Sequence, residues 1–147
     1  MWNLLYIYKF GNWCIRHKIP VFPILCKLLI RVFFNSAVDC STQIGKNVLF
    51  GYGGIAVVIH KRAVIGDNVT IAQCVTIGGR SKKKNVPIIG NNVYIGAGAK
   101  ILGDIIIGNN VIIGANSVVL IDVPDNSVAA GIPAKIIKRD INFSDYM

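Results

Sequence analysis

Residues 89–119 read IGNNVYIGAGAKILGDIIIGNNVIIGANSVV. Ile89, Ile95, Ile101, Ile107, Ile113 and Val119 stand six residues apart, and every one is β-branched. The same beat runs backwards through Ile77, Ile71, Ile65 and Ile59. One step is doubled: Ile77 and Ile89 are twelve apart, so a segment inserted at Gly79–Ile88 keeps the phase. A second column lies four residues after the first: Val69, Val75, Val93, Ala99, Ile105, Val111, Ser117 and Val123. A third lies one residue after it: Gly66, Ala72, Gly78, Gly90, Gly96, Leu102, Gly108 and Gly114. Glycine there suits a tight corner, where φ turns positive or backbones pass closely. The pairs Asp67-Asn68, Asn91-Asn92 and Asn109-Asn110 follow those glycines, and such residues favour turns.

A period of six fits neither an α-helix nor simple strand alternation. It fits a solenoid. Each six-residue unit makes a short strand and a corner, and three units make one triangular coil. Stacked coils bury the aliphatic columns and pair their backbones with the coils above and below.

The rest of the chain sets bounds. With 147 residues, 53% of them hydrophobic and 16% charged, one ordered domain with a small appendage is expected. The formal charge of +9 favours an anionic partner, such as a CoA-type cofactor, an acidic glycan or a lipid surface. Nucleic acid is not expected, since no recognised binding motif is present. Cys14, Cys26, Cys40 and Cys74 form no CxxC pair and read as reduced thiols of a cytoplasmic protein. No His/Cys/Asp/Glu cluster has metal-ligand spacing, so no metal site is expected. Met1-Trp2-Asn3 lacks the basic start of a signal peptide. The apolar run Ile19–Phe34 holds Lys27, Arg31 and two prolines, which argues against a spanning helix.

Residues 1–17 place Trp2, Leu5, Tyr6, Phe10, Trp13 and Cys14 near helical spacing. Pro20 and Pro23 interrupt, and residues 24–34 (ILCKLLIRVFF) read as a second short helix. The expected division is a helical segment 1–38, a β-solenoid 39–138 with its inserted loop 79–88, and a tail 139–147. The two helices are expected to cover the open end of the solenoid. Peripheral contact with a membrane, such as the inner membrane surface, is the rival reading.

Three stretches carry a family resemblance: VTIGG (75–79), IGAGAKILG (95–103) and IGANSVV (113–119). The closing stretch VPDNSVAAGIPAK (123–135) is the most specific. Together they resemble the hexapeptide-repeat acyltransferase superfamily, in its serine O-acetyltransferase branch, which also holds short polysaccharide O-acetyltransferases. The resemblance implies a mainly β fold, a left-handed parallel β-helix. It also implies a homotrimer with acetyl-CoA bound between neighbouring copies. By the same resemblance Gly78, Gly79, Ala97, Ala115, Gly131, Ala134 and Lys135 would hold the cofactor, and Arg80, Lys84 and Asn85 the acceptor.

The reaction implied is transfer of an acyl group from a thioester to a hydroxyl. A histidine base would typically contribute about 10²–10⁴-fold. The two histidines usual in this branch fall here at Tyr52 (or Gly53) and at Val86 before Pro87. The chain has two histidines, His17 and His60. His60 is the candidate base and Tyr52 the candidate partner of the acceptor, although a tyrosine hydroxyl is a weak base. Three functions follow: acetylation of a sugar hydroxyl of a surface polysaccharide or its precursor, acetylation of serine for cysteine synthesis, and a scaffold without turnover.

Overall fold

The computed structural model describes residues 3–146. Helix α1 spans Leu4–Arg16, with the Asn3 side chain accepting from the Leu5 N–H as its N-cap. Leu4, Tyr8, Gly11 and Cys14 recur at helical spacing and face inward. Helix α2 spans Phe22–Phe34 and starts before Pro23 rather than after it. In the first turn a proline lacks an N–H that would have no partner anyway, so it begins the helix instead of breaking it. Asn35, in the left-handed region, ends α2.

Three parallel sheets follow. Face one stacks β1 (Ala37–Val38), β4 (Val58–Ile59), β7 (Thr76–Gly78), β10 (Lys100–Leu102) and β13 (Val118–Val119). Face two stacks β2 (Gln43–Ile44), β5 (Val64–Ile65), β8 (Ile88–Ile89) and β11 (Ile106–Ile107). Face three stacks β3 (Leu49–Phe50), β6 (Thr70–Ile71), β9 (Val93–Ile95), β12 (Val111–Ile113) and β14 (Val128–Gly131). The final strand β15 (Ala134–Lys138) turns back antiparallel on β14 and stops the stacking. Four full coils and a partial fifth result, as a triangular prism.

The aliphatic column lines its axis. Ile71, Ile77, Ile95, Ile101, Ile107, Ile113 and Val119 are all fully buried. Burying one such side chain contributes about 1.5–3 kcal/mol. The column also reaches back beyond Ile59: Val38 pairs with Ile59, Ile44 with Ile65, and Phe50 with Ile71. Phe50 and Ile59 are nine residues apart rather than six. The excess is a turn at Gly51–Gly54 that carries Tyr52 outward. α1 lays Leu4 against the Gly54 backbone, and a Cβ there would collide with it. Leu4, Tyr8, Ile30 and Phe34 join Val38, Val48 and Phe50 in one core, so the helices close the first coil.

The vertex after face two explains the Gly-Asn-Asn pattern. The positive φ falls on Asn47, Asn68, Asn92, Asn110 and Asn126, not on the glycines. Their amides form a ladder: Asn47 to Asn68 at 3.1 Å, Asn68 to Asn92 at 3.1 Å, Asn92 to Asn110 at 3.0 Å, Asn110 to Asn126 at 2.9 Å. Glycine is needed there for close approach. A Cβ on Gly90 would lie 2.7 Å from the Gly108 carbonyl oxygen.

Candidate active site at the vertices of face one

The expected site residues gather at two vertices that flank face one. The first vertex follows face one. It carries Asp39, His60, Gly78 with the inserted loop, Leu102 and Leu120 on successive coils. The third vertex precedes face one. It carries the Tyr52 turn, then Gln73-Cys74, Ala97-Gly98 and Ala115-Asn116 on successive coils.

At the first vertex His60 is half-buried, and its Nδ1 accepts the Arg62 backbone N–H at 3.1 Å. One coil earlier, Asp39 Oδ1 accepts the Ser41 N–H at 2.9 Å in the same arrangement. His60 therefore closes a turn, and its neutral ring carries the proton on Nε2. In this state it offers a donor rather than a free lone pair.

The inserted loop is tied down on both sides. The Arg62 guanidinium donates to the Lys84 carbonyl at 2.8 Å, and the Asn85 amide donates to Asp104 Oδ2 at 3.0 Å. The Arg80 side chain lies over Gly103. Val86 is buried, so the position just before Pro87 packs inward. Arg80, Lys83, Gly103, Asp104 and Leu120 line a cleft of about 120 Å³. Gly78 stands open: a Cβ built on it meets no atom within 4 Å.

At the third vertex Tyr52 is 68% exposed and sits at φ 49, the left-handed region that a bulky residue rarely adopts. Buried Gly53 and Gly54 take up the rest of the bend. Ala97 and Ala115 lie two and three coils further along, joined by the Asn116 N–H to the Ala97 carbonyl at 2.8 Å. Gly131 tops the same edge, its N–H donating to Ser117 Oγ at 3.2 Å. Ala134 pairs with Gly131 in the β14–β15 hairpin and is buried, while Lys135 is exposed.

The structure thus places His60, Gly78, Gly79, Arg80, Lys84 and Asn85 at one vertex, and Tyr52, Ala97, Ala115 and Gly131 at the other. Among the described residues no hydrogen bond joins Tyr52 to His60. Sequence reasoning passed over Lys100, whose Nζ donates to the carbonyls of Cys74 and Gly98 at 2.8 and 2.7 Å on the third vertex. The available signal was its position: Ala37, Val58, Thr76 and Val118 occupy the same outward place on face one, and Lys100 is the charged member. Arg62 and Asp104, which hold the loop, were also passed over.

A concavity of about 500 Å³ lies elsewhere, between α1 and the first coils, lined by Tyr8, Arg16, Thr42 and Val64 among others. Among the described residues, no group of three His, Cys, Asp or Glu could hold a metal ion.

A model of the bacterial transferase hexapeptide family (six repeats) matches residues 87–120. Serine acetyltransferase of Synechococcus elongatus is 40% identical over 137 residues, covering 92% of this chain and 56% of that protein. This chain belongs to the hexapeptide-repeat acyltransferase superfamily. Its branch is the serine O-acetyltransferase-like one. Serine acetyltransferase of Staphylococcus aureus (strain Mu50) is 50% identical over 112 residues, or 75% of this chain and 52% of that protein. Serine acetyltransferase of Brucella abortus strain S19, solved in complex with coenzyme A, superposes with a TM-score of 0.85 at 33% identity, over 92% of this chain and 54% of that one. The fold shared with these hexapeptide-repeat enzymes is the left-handed β-helix. It runs against the usual right-handed crossover of parallel strands. The chain spans just over half the length of the curated relatives it matches.

Proposed function

We propose that the chain is an acetyl-CoA-dependent O-acetyltransferase whose site forms between two copies, with L-serine as the first acceptor to test. The observation that carries the activity is the likeness to serine acetyltransferases along nearly the whole chain. That likeness moves the weight from a polysaccharide hydroxyl, the first expectation from sequence, to serine. The assembly rests on geometry. The two residue groups lie at opposite edges of one face, and the cleft of about 120 Å³ at one vertex is below the roughly 300–1,000 Å³ of ordinary ligand sites. A neighbouring copy that sets its first vertex against the third vertex of this one brings the groups together. Closed rotational packing of three copies does so for every pair.

In this reading the CoA arm runs along the third vertex. Tyr52 on the first coil and Gly131 on the fifth are four coil steps apart, roughly 19 Å at about 4.8 Å per step. The reactive end would lie near Tyr52 and the nucleotide end near Gly131, Ala134 and Lys135. The small side chains of Ala97 and Ala115 leave backbone groups within reach of a narrow ligand.

The acceptor oxygen attacks the thioester carbonyl carbon, the C–S bond breaks, and the CoA thiolate leaves. The proton that the hydroxyl loses ends on the CoA sulfur, so the products are the O-acetyl ester and the CoA thiol. Tyr52 Oη holds the acceptor hydroxyl. His60 Nε2–H faces the developing oxyanion, a role its turn-closing Nδ1 contact leaves open. Arg80, Lys84 and Asn85 of the inserted loop form the acceptor wall, and Arg80 and Lys84 favour an anionic group such as a carboxylate. The test is steady-state release of CoA with L-serine and with a panel of sugars. Turnover with L-serine above the sugars supports the proposal. Release with sugars alone restores the polysaccharide reading, and no release with any acceptor leaves a scaffold without turnover.

A further inference from the structure

We infer that the outer surface of α1 and α2 docks onto an anionic lipid bilayer. The inference is independent of the acyl-transfer reading. Helices that cap a solenoid should turn apolar side chains inward and polar ones outward. Here both sides are apolar. Tyr6, Ile24 and Val32 are 70%, 73% and 67% exposed, and Leu28 is 57% exposed. Phe10 stacks on Trp13 with centroids 6.3 Å apart and meets Phe22 edge-on at 5.9 Å, so an aromatic cluster bridges the two helices while each ring stays about half exposed. Exposed Trp and Tyr rings, here Trp13 and Tyr6, settle at the headgroup level of a membrane.

Charge selects the occupant. Residues 1–38 hold five Lys or Arg and none of the seven acidic residues of the chain. Lys27 reaches Asp39 at 3.1 Å, the one ion pair among the described residues. Arg31 has no carboxylate partner among them. Ile24, Leu28 and Ala37 line a groove of about 400 Å³ together with Lys27 and Arg31. Apolar lining beside cationic side chains matches an acyl chain beneath an anionic headgroup. A second copy is a poor occupant, because isologous pairing would bring two sets of cationic side chains together while Lys27 alone meets an acid, Asp39. Each helix has 13 residues, and among the described residues none is long and apolar enough to cross a bilayer. The pair would therefore lie in the interface plane.

The test is flotation of the full chain with vesicles of phosphatidylcholine alone and with roughly one-third phosphatidylglycerol, at low and high salt. The chain floats with the anionic vesicles, and high salt releases most of it. Arg31→Glu reverses one charge and lowers partitioning at least about fivefold. Leu28→Ser lowers it at neutral cost to the fold, which matching thermal melts verify. In a Trp2→Phe background, Trp13 emission shifts to the blue on binding. A folded chain that stays at the bottom of the gradient with anionic vesicles at low salt overturns the inference. So does vesicle binding that ignores both substitutions. So does a self-association abolished by Leu28→Asp without any vesicle binding.

Discussion

The Asn92 amide donates to Asn110 Oδ1 at 3.0 Å while its own oxygen accepts from Asn68 at 3.1 Å, so Asn92 is a central rung of the vertex ladder. It also holds φ 53. Asn92→Ala removes two bonds and puts into the left-handed region a residue that tolerates it less well than asparagine. The expected loss is about 2–3 kcal/mol. Asn92→Gly removes the bonds and keeps the turn, so it costs about 1 kcal/mol less. Urea unfolding of both variants measures the difference. Equal losses would mean that the backbone conformation contributes nothing.

Cys40 is buried where α1, α2 and the first coil meet. Burial, followed by the charges of Cys26 and Asp39, pushes its thiol from 9.0 up to about 12. Burial likewise raises Cys26 and Tyr8. The unfolded thiol loses its proton first, so the folded chain binds more protons between pH 9 and about pH 12. Stability is therefore full below pH 9 and falls as pH climbs through that window. Urea midpoints across the window should decline, and Cys40→Ala should flatten the decline. A flat profile in the unsubstituted chain would contradict this account.

Tyr52 occupies the corner where the family resemblance places a histidine. Tyr52→His suits the left-handed backbone, which histidine tolerates better than most bulky residues. If the third vertex is the reacting edge, this variant raises CoA release at least about tenfold, within the range of a general base. Tyr52→Phe should lower it. An unchanged rate in both variants moves the chemistry away from this vertex.

Arg62 holds the inserted loop through the Lys84 carbonyl. Lys82, Lys83 and Lys84 are exposed, so the loop is a trypsin site whose cleavage rate reports its opening. Arg62→Ala should speed cleavage there severalfold while the melting temperature hardly changes. Asp104→Ala, which frees Asn85, should do the same. Cleavage at the original rate in both variants would show that other contacts hold the loop.

Thr42 Oγ1 is buried without a hydrogen-bond partner among the described residues, next to the Tyr8 hydroxyl that donates to the Thr42 carbonyl at 2.6 Å. Thr42→Val removes the unpaired group at constant shape and should stabilise by about 1 kcal/mol. Tyr8→Phe should cost about 1–3 kcal/mol, because it orphans the carbonyl. Thermal melts rank the two.

The sequence by itself determined the prism. Burial of one side chain per strand is a local demand that repeats with every coil, so a six-residue beat from Ile59 to Val119 is readable without coordinates. The two helices were readable for the same reason, apart from the start of α2, where a proline acted as a first-turn residue. The first coil was hidden, because the Tyr52 turn adds three residues and breaks the beat between Phe50 and Ile59. The site was readable as a set of residues but not as an arrangement. Only stacking decides that Tyr52 and His60 flank face one from opposite edges, that His60 Nδ1 is occupied by Arg62, and that Asn rather than Gly carries the positive φ. Those facts depend on how one coil sits over the next, and spacing along a single chain does not encode contacts between layers.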